Sequence, residues 1–368
     1  METATLRDRI AVTLLEGIGP RTAKNLIAYA GGETEVLKLS RKWLLDIPGI
    51  GTARALQIEK SVTAALKAAD QETEFIEKHG IKAIYFNEPG YPELLRECDD
   101  CPLLLYTRGD IRLDGRKILA VVGTRKATEQ GRQTVREVIE ELASRNQDLV
   151  IVSGLAYGID IAAHRAAMEY GIQTIGVMGN GFATLYPREH RNTAVKMMDN
   201  GGLVTEFTSR MAPERQNFLM RNRVIAGMSH ATWVVESASR GGSLITADMA
   251  NSYNRDVFAS PGRVTDPCSA GCNKLIKTNK ASLLESAADI EYIMGWENKG
   301  KKVGAPSSYQ LSEEEKPLHA LLREHDKIQL DELAQLTGQN VHLLSGMLFT
   351  LELKGAVQCV PGNRYRAL

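Results

Sequence analysis

The chain has 368 residues, and its 45 Lys and Arg residues balance 45 Asp and Glu residues, so the formal net charge at pH 7 is zero. This length predicts two or three domains, and zero net charge means that any nucleic-acid binding must come from a local basic patch. No apolar run approaches the length that spans a membrane, and the N-terminus lacks a cleavable signal pattern. We therefore expect a cytoplasmic protein with no membrane partner.

Cysteine usage favours free thiols over disulfides, because an odd number of cysteines occurs in a long chain with no secretion signal. The five are Cys98, Cys101, Cys268, Cys272 and Cys359. The first four could together bind zinc. However, the two pairs lie far apart in sequence, and the first is followed by a proline in a predicted loop. We expect no metal site.

Residues 1–66 are predicted to be all-helical and contain an internal near-repeat. The copies LLEGIGPRTAKNLIAY and LLDIPGIGTARALQIEKSV each place a Gly-Ile-Gly turn before a helix. This pattern resembles a tandem helix-hairpin-helix module, in which glycine lets a phosphate approach the amides at a helix start. Arg21, Lys24 and Arg54 would add positive charge. Alternatively, the turns only hold a small helical domain together.

Residues 67–297 are predicted to form an α/β domain preceded by an entry segment. The entry segment contains a helical stretch and two strands, at Ile81–Phe86 and Leu103–Tyr106. Further strands are predicted at Ile118–Val122, Leu149–Val152, Thr174–Val177, Leu203–Thr205, Thr232–Val235 and Val257–Ala259. Helices between them are predicted at Thr128–Arg145, Ile159–Tyr170, Asn192–Asn200, Arg215–Met228 and Ser243–Tyr253. This alternation predicts a doubly wound, extended Rossmann-like parallel sheet, whose ligands bind at the carboxyl ends of the strands.

Two small-residue turns follow the first two strands of this sheet, and each opens a helix. Such turns aim backbone N–H groups at one point, which is an arrangement that binds phosphate. The alternative is an ordinary strand–helix connection with solvated basic residues. The candidate binding residues in these turns are Gly123, Thr124, Arg125, Lys126, Ser153, Gly154, Leu155 and Ala156.

A later helical segment, FLMRNRVIA, carries side chains suited to single-stranded nucleic acid. Phenylalanine stacks on bases, and arginine forks bind phosphates. The candidates here are Phe218, Arg221, Asn222 and Arg223. Alternatively, the arginines pair with carboxylates such as Glu206 or Glu236, and the two interpretations can coexist.

Three more stretches supply the remaining candidates at the strand ends, namely Gly179, Gly181, Gly241, Gly242, Ser243, Lys274 and Lys277. The Gly-Asn-Gly turn lacks the third glycine of a dinucleotide fingerprint, and no G-x-x-x-x-G-K-[ST] motif occurs. We therefore expect no nucleotide cofactor. Asp160 and His164 share a helix face, but such a pair is more often structural than catalytic.

The C-terminal region is predicted to consist of a linker, residues 298–311, and a winged-helix domain, residues 312–368. The domain opens on the capping-box pattern Ser312-Glu-Glu-Glu315, followed by three helices and a hairpin with Pro-Gly-Asn at its turn. Its third helix, NVHLLSGMLFTLELKG, is apolar and poor in basic residues. Because a base-reading helix offers polar side chains to base edges, this composition favours contact with protein over sequence-specific DNA reading.

The motifs VVGTR, SGLAYGID, GNG…YP, FLMRNRVIAG, VVE…GGSLITA, FASPG and GCNKLIKT, in this order, resemble the DprA/Smf family (DNA processing protein A) over about residues 80–285. The resemblance implies a non-enzymatic protein that binds single-stranded DNA without sequence preference, forms homodimers through its central domain and loads RecA in natural transformation. Two departures occur: Cys272 replaces the usual threonine, and Thr278-Asn279-Lys280 lacks the usual glycine. Lys274 and Lys277 are therefore weaker candidates than Arg125.

Two other hypotheses remain from the sequence. One is a nucleotide-binding hydrolase similar to phosphoribohydrolases, which carry a P-G-G-x-G-T-x-x-E signature. In the nearest stretch, Leu244 replaces the second glycine and Asp248 replaces the catalytic glutamate, so this hypothesis is disfavoured. The other is an adaptor that acts through the winged helix and the dimer surface, for which Arg125 would be dispensable.

Overall fold

The chain forms two units, residues 1–297 and 298–368, which are described separately. The structure is a computed structural model that describes residues 6–296, 311–312, 315–325, 328–354, 356–360 and 364–367. Among these residues, no helix is both long and apolar enough to cross a membrane.

The first unit contains the elements expected from the apolar periodicity, each within a few residues of its predicted position. Its α-helices are α1 (Leu6–Thr13), α2 (Pro20–Ala30), α3 (Glu33–Val36), α4 (Arg41–Leu45), α5 (Thr52–His79), α6 (Glu93–Arg96), α7 (Glu129–Arg145), α8 (Ile159–Glu169), α9 (Arg191–Met197), α10 (Arg215–Gly227), α11 (Gly242–Ser252), α12 (Ala270–Lys277) and α13 (Ala287–Met294). Its strands are β1 (Lys82–Tyr85), β2 (Leu104–Asp110), β3 (Lys117–Val122), β4 (Leu149–Ser153), β5 (Gln173–Val177), β6 (Gly201–Thr205), β7 (Ala231–Val234), β8 (Asp256–Ala259) and β9 (Ser282–Leu283).

In the described part of this unit, nine strands form one sheet in the order β1-β2-β6-β5-β4-β3-β7-β8-β9. The seven strands β6-β5-β4-β3-β7-β8-β9 are all parallel to one another. In contrast, β2 pairs antiparallel with β6, and β1 pairs antiparallel with β2. The entry segment therefore extends the sheet at one edge. From β3 the chain winds to β6 on one side and then returns to β7 on the other, so the strand order reverses between β3 and β7.

Helices cover both faces of the sheet, and its central strands are therefore buried on both sides. One core joins the strands to α10, α11 and α12, and a second joins them to α7, α8 and α13. Every residue of β4 and β5 is buried. These observations confirm the predicted doubly wound fold class.

The N-terminal helices share a core with the entry strands. This core contains Ile10 and Leu26 from the first helices, Ile58 from α5, and Tyr85 and Leu104 from β1 and β2. Helix α5 is continuous from Thr52 to His79, so it crosses the domain boundary that the sequence suggested at residue 66. The helical module and the sheet are therefore joined by a helix rather than by a linker.

A buried carboxylate fastens α5 to the loop that precedes α10. Glu72 is 5% exposed, and its two carboxylate oxygens accept hydrogen bonds from Ser209 N at 2.8 and 2.9 Å. The Ser209 hydroxyl donates a third hydrogen bond to Glu72 at 2.6 Å. Because a buried carboxylate needs such donors, this loop cannot leave α5 without a substantial loss of free energy.

The second unit has the helix and strand order of a winged-helix domain. Its elements are α14 (Glu315–Glu324), β10 (Ile328–Gln329), α15 (Leu330–Thr337), α16 (Val341–Leu353), β11 (Val357–Val360) and β12 (Arg364–Ala367), with the sheet order β10-β12-β11. The predicted capping box is present: Ser312 N donates to Glu315 Oε2 at 2.8 Å, and Glu315 N donates to Ser312 Oγ at 3.3 Å. The predicted linker up to residue 310 and the turn at 361–363 lie outside the described residues.

We expect Glu72→Ala to destabilise the first unit by about 2–4 kcal/mol, because it leaves the buried Ser209 donors without an acceptor. Urea unfolding measures the change. The matched control is Glu74→Ala on the exposed side of the same helix, which should stay within about 0.5 kcal/mol of wild type. Equal stability of the two variants would contradict this role for Glu72.

Candidate nucleic-acid interface

The turns that follow β3, β4 and β7 meet at the carboxyl edge of the sheet, where the strand order reverses. Backbone hydrogen bonds join them: Thr124 N donates to Glu236 O at 2.8 Å, and Ile159 N donates to Thr124 O at 3.2 Å. In doubly wound sheets this edge is where ligands bind. The fold therefore brings the predicted candidate turns together.

The Glu236 carboxylate lies against the start of α7 and takes up donors there. The Glu236 carboxylate accepts from Thr128 N at 2.9 Å and from the Thr128 hydroxyl. Thr128 Oγ1 in turn accepts from Gly131 N at 3.0 Å. A negative side chain is favoured at a helix N-terminus. The chain thus fills the position in which the sequence suggested an external anion.

The second turn has its own internal anion. The Asp160 carboxylate, which is 7% exposed, accepts from Gly154 N at 3.1 Å and from Ala156 N at 3.4 Å. Burial raises the pKa of Asp160, while the nearby Arg221 guanidinium opposes this shift. The amides of this turn therefore hold the loop rather than a phosphate.

The glycines of both turns are also needed for internal packing. A Cβ at Gly123 would collide with Ile159, and a Cβ at Gly154 would collide with the Arg221 guanidinium. Ser153 is buried and donates to Val121 O at 2.6 Å, and Leu155 is buried as well. The small residues of these turns thus allow a close approach, as the sequence predicted, but the atoms that approach them belong to the protein itself.

The polar residues of α10 also lie inside the protein. Arg221 donates to Val177 O, and burial lowers its pKa to about 10, while Asp160 opposes the shift and Arg125 adds to it. Arg223 forms a buried ion pair with Glu206 and donates to Asp100 O. Asn222 donates to Gly242 O at 3.3 Å. Arg223 therefore pairs with a carboxylate, as the alternative interpretation of this helix predicted. All three polar side chains are occupied by partners within the protein.

The side chains of Arg125 and Lys126, in contrast, are exposed and make no hydrogen bond or ion pair within the described part of the chain. The Arg125 guanidinium lies 5.6 Å from the centroid of the half-buried Phe218 ring. Tyr186 lies 5.5 Å from Phe218, centroid to centroid. Tyr157 and Tyr186 are 40% and 41% exposed. We call Arg125, Phe218, Tyr157 and Tyr186 the Arg125 cluster.

The two tyrosines of the Arg125 cluster were absent from the sequence-based candidates. Both lie in motifs that the sequence singled out, SGLAYGID and GNG…YP. Their position in loops that follow strands is the signal that would have found them, since such loops lie on the surface. Burial decides whether an aromatic ring stacks on a ligand or packs in the core, and burial is a tertiary property.

The remaining candidates lie in three places. Gly179 packs against Phe218, whose Cδ1 would lie 2.6 Å from an added Cβ, and Gly181 packs against the backbone of Thr208. Gly241 and Gly242 are exposed at the start of α11, where Ser243 is buried and donates to Ser237 Oγ at 3.0 Å. Lys274 and Lys277 are exposed on α12, beyond the end of β8. Gly179 thus belongs with the Arg125 cluster, and the two lysines lie on a separate helix.

The cations predicted for the N-terminal hairpins all have partners within the protein. Arg21 pairs with Asp99 at 2.8 Å, Lys24 lies 2.8 Å from Cys101 Sγ, and Arg54 donates to Gly49 O at 2.9 Å. In the described residues, Cys98, Cys101, Cys268 and Cys272 are free thiols, and no group of three or more potential ligands could hold a metal.

Comparison with known proteins decides the family. A family profile described as "DNA recombination-mediator protein A" matches residues 82–294, which is more than half of the chain. The chain belongs to the DprA/Smf family. A second profile, for the DprA winged-helix domain, matches residues 304–363 and confirms the predicted C-terminal domain.

Relatives and solved structures of the DprA/Smf family agree with this assignment. The Bacillus subtilis DNA processing protein DprA is 40% identical over 215 residues, which is 58% of this chain and 71% of that protein. Protein Smf of Escherichia coli is 33% identical over 315 residues, covering 84% of each chain. DprA from Streptococcus pneumoniae superimposes with a TM-score of 0.66 at 31% identity, over 79% of this chain and 98% of that one. DprA from Helicobacter pylori, whose structure is described in terms of a single-stranded DNA binding mode, gives 0.53 at 25% identity, over 59% and 96%.

Beneath the Arg125 cluster, His164 is fully buried. Its Nδ1 lies 2.7 Å from Thr174 Oγ1, while the Asp160 carboxylate accepts from backbone amides, so Asp160 and His164 each have a separate structural partner. Burial lowers the pKa of His164 to about 3. Because the unfolded chain binds a proton at this histidine near pH 6.5 and the folded chain does not, stability is lost as pH falls from about 6.5 toward 3.

We expect wild type to lose about 2–3 kcal/mol more free energy of unfolding than His164→Gln between pH 7.5 and 4.5. Urea unfolding at the two pH values measures this difference. The exposed His79 provides the control, because His79→Gln should keep the wild-type pH dependence. An identical pH dependence in wild type and His164→Gln would show that His164 is not buried in its neutral form.

Proposed function

We propose that this protein binds single-stranded DNA across the carboxyl edge of the sheet, with the Arg125 cluster at the centre of the site. The observation that carries the proposal is an exposed arginine that lies against Phe218 and has no hydrogen-bond or ion-pair partner among the described residues. Arginine binds phosphate, and exposed aromatic rings stack on unpaired bases.

Arg125, Phe218 and Tyr186 of the Arg125 cluster have distinct tasks in this proposal. Arg125 neutralises a phosphate, with Lys126 adding charge beside it, while Phe218 and Tyr186 stack on successive bases. Glu236 and Asp160 hold the turns in shape from inside. Because phosphates and base faces are common to all nucleotides, these contacts bind DNA without regard to sequence.

We further propose that the protein protects incoming single strands and loads RecA onto them in natural transformation and recombination. The family description as a recombination mediator supports this role. Exposed Leu343 and Phe349 on α16, which are 58% and 62% exposed, support a protein-binding role for the winged helix.

The central domain is also proposed to form a homodimer. The sheet ends in the short strand β9, which pairs with β8 alone among the described strands. Ile245, Leu283, Tyr292 and Ile293 are apolar or aromatic residues on elements at this end of the sheet, and each is at least 39% exposed. Exposed apolar residues beside an open strand edge favour association with another chain.

The hydrolase hypothesis receives no support from the site. Asp248, at the position of the catalytic glutamate, pairs with Lys280 at 2.7 Å, and both side chains are more than half exposed. A solvent-exposed surface ion pair is a poor environment for a general acid or base, because catalytic acids and bases lie in clefts that exclude water.

We expect Arg125→Ala to weaken binding of labelled oligo-dT at least tenfold and to reduce the slope of log affinity against log salt concentration by about one, because one phosphate contact is lost. Fluorescence anisotropy at two salt concentrations, with a matched duplex as competitor, measures both effects. RecA loading onto the same strand should fail in parallel.

Arg112→Ala is the matched control, because Arg112 carries the same charge at the opposite edge of the sheet, where its amide donates to Gln173 at the start of β5. It should bind like wild type. Unchanged DNA binding by Arg125→Ala would move the DNA site to a flanking domain, and intact RecA loading without DNA binding would favour the adaptor hypothesis.

We expect Leu283→Glu to raise the dimer dissociation constant at least tenfold, because it places a charge in an apolar contact. Sedimentation velocity over a concentration series measures this change. Leu45→Glu, a similarly exposed leucine on the N-terminal helices, is the control. A dimer that persists in Leu283→Glu would place the interface elsewhere.

A further inference from the structure

Tyr157 is the ring of the Arg125 cluster that has no task among the DNA contacts proposed above. It lies in the turn between β4 and α8, and this turn packs directly on the turn that carries Arg125. A Cβ added to Gly158, which has a φ of 76°, would lie 2.2 Å from Thr124 O and 2.7 Å from Arg125 O. Glycine permits both this φ and this close approach. The backbone therefore holds Tyr157 beside Arg125.

Two contacts hold the Tyr157 side chain in one orientation. Its hydroxyl donates to Glu189 Oε2 at 2.8 Å, and this hydrogen bond raises the pKa of Tyr157. Its ring meets His190 edge-to-face, with 4.9 Å between the centroids and 65° between the planes. His190 is itself buried, and its Nδ1 lies 2.7 Å from Leu155 O. An exposed ring that is already held in place loses little conformational freedom when it contacts a ligand.

The rings of the Arg125 cluster cross the edge of the sheet from one face to the other. Phe218 belongs to α10, which packs in the core on one face, whereas Tyr157 precedes α8, which packs in the core on the other. Tyr186 connects the two, because its ring lies 5.5 Å from that of Phe218 and its phenol interacts electrostatically with that of Tyr157. A strand that stacks on Phe218 and Tyr186 and continues in this direction meets Tyr157 next.

Two arginines lie where such a strand leaves the Arg125 cluster. Arg188 and Arg191 are exposed, and their side chains make no hydrogen bond or ion pair among the residues that the structure describes. They flank Glu189 and His190 in the chain, and Arg191 begins α9. The loops that follow β7 and β8 also carry arginine, but they contain no aromatic residue. Of these directions along the edge, the one toward α9 therefore combines cations with an exposed ring, as single-stranded DNA requires.

We propose that Tyr157 is a third stacking position for the bound single strand and that Glu189 is its positioning residue. The strand crosses the Arg125 cluster toward α9, where Arg188 and Arg191 bind its phosphates. The inference rests on the proposed DNA-binding function, because it extends that site by one base. Since every base has an aromatic face, this contact adds affinity without adding sequence preference.

The stacking role is tested by comparing oligo-dT with an equally long strand of abasic deoxyribose units, by fluorescence anisotropy. The two strands have the same phosphates, but only oligo-dT has bases that can stack. We expect Tyr157→Ala to weaken binding of oligo-dT about fivefold or more, and to leave both its salt slope and the affinity for the abasic strand unchanged, because stacking releases no counterions. Tyr170→Ala is the matched control, since Tyr170 is half-buried at the other end of α8 and its hydroxyl accepts from Arg136 at 3.1 Å. It should bind both strands like wild type.

The positioning role is tested with Glu189→Ala and Glu189→Gln. Both variants remove the same negative charge, but glutamine keeps an oxygen that can accept from the Tyr157 hydroxyl. We expect Glu189→Ala to bind oligo-dT about threefold more weakly than Glu189→Gln, because only the alanine variant releases the ring. In a Tyr157→Phe background, which lacks the hydroxyl, the two variants should bind alike. A difference that survives in this background would show that Glu189 does not act through Tyr157.

The direction of the strand is tested by the salt dependence of oligo-dT binding. We expect Arg188→Ala and Arg191→Ala each to reduce the slope of log affinity against log salt concentration by about one. Arg240→Ala, which changes an exposed arginine in the loop after β7, is the control and should keep the wild-type slope. Wild-type slopes in both Arg188→Ala and Arg191→Ala would overturn the proposed direction.

The outcomes separate this inference from the function on which it rests. If wild type binds oligo-dT, any result for Tyr157→Ala other than a loss confined to oligo-dT overturns the stacking role and leaves the proposal of DNA binding intact. Failure of wild type to bind oligo-dT overturns both proposals.

Discussion

The geometry of the strand-end face depends on the Glu236 carboxylate at the start of α7. It satisfies Thr128 N and the Thr128 hydroxyl, while the Glu236 carbonyl holds Thr124 N. One residue after β7 thereby fixes the turn after β3, across the point where the strand order reverses. A buried carboxylate against helix N–H groups is stabilised by the helix dipole and by direct hydrogen bonds. The position of Arg125, between these two anchors, follows from that arrangement.

Asp160 repeats this arrangement one strand away, and together the two carboxylates explain the distribution of charge in the site. The two carboxylates take up the donors Thr128 N, Gly154 N and Ala156 N, so our proposal assigns the attraction for DNA to exposed side chains. Arg221 and Arg223 neutralise part of the buried negative charge beneath them. A buried polar layer therefore supports the exposed Arg125 guanidinium, two exposed tyrosine rings and the half-buried Phe218 ring, which our proposal treats as a preorganised surface for a flexible strand.

The N-terminal helices contribute to this surface through the sheet. Helix α5 shares a core with β1 and β2, and Glu72 holds the loop that leads into α10. Gly181 packs against the same loop. The orientation of α10, which carries Phe218, is thus set partly by a helix that begins in the hairpin module. In our proposal, this coupling lets the hairpin module influence DNA binding without its own cations touching DNA.

The sequence alone determined the element order, the doubly wound class, the winged helix and the family, because apolar periodicity and turn residues act locally. It also predicted a binding site at the strand ends, with Arg125 among its residues. What it did not determine is which polar groups face outward. Gly154 and Arg221 suggested phosphate contacts, yet they pack on each other, whereas Tyr157 and Tyr186 were overlooked and are exposed. The reason is physical, because a buried charge requires a partner that the local sequence does not reveal. Glu206 forms an ion pair with Arg223, and Asp160 accepts hydrogen bonds from the amides of the turn after β4. Only the tertiary structure brings those partners together.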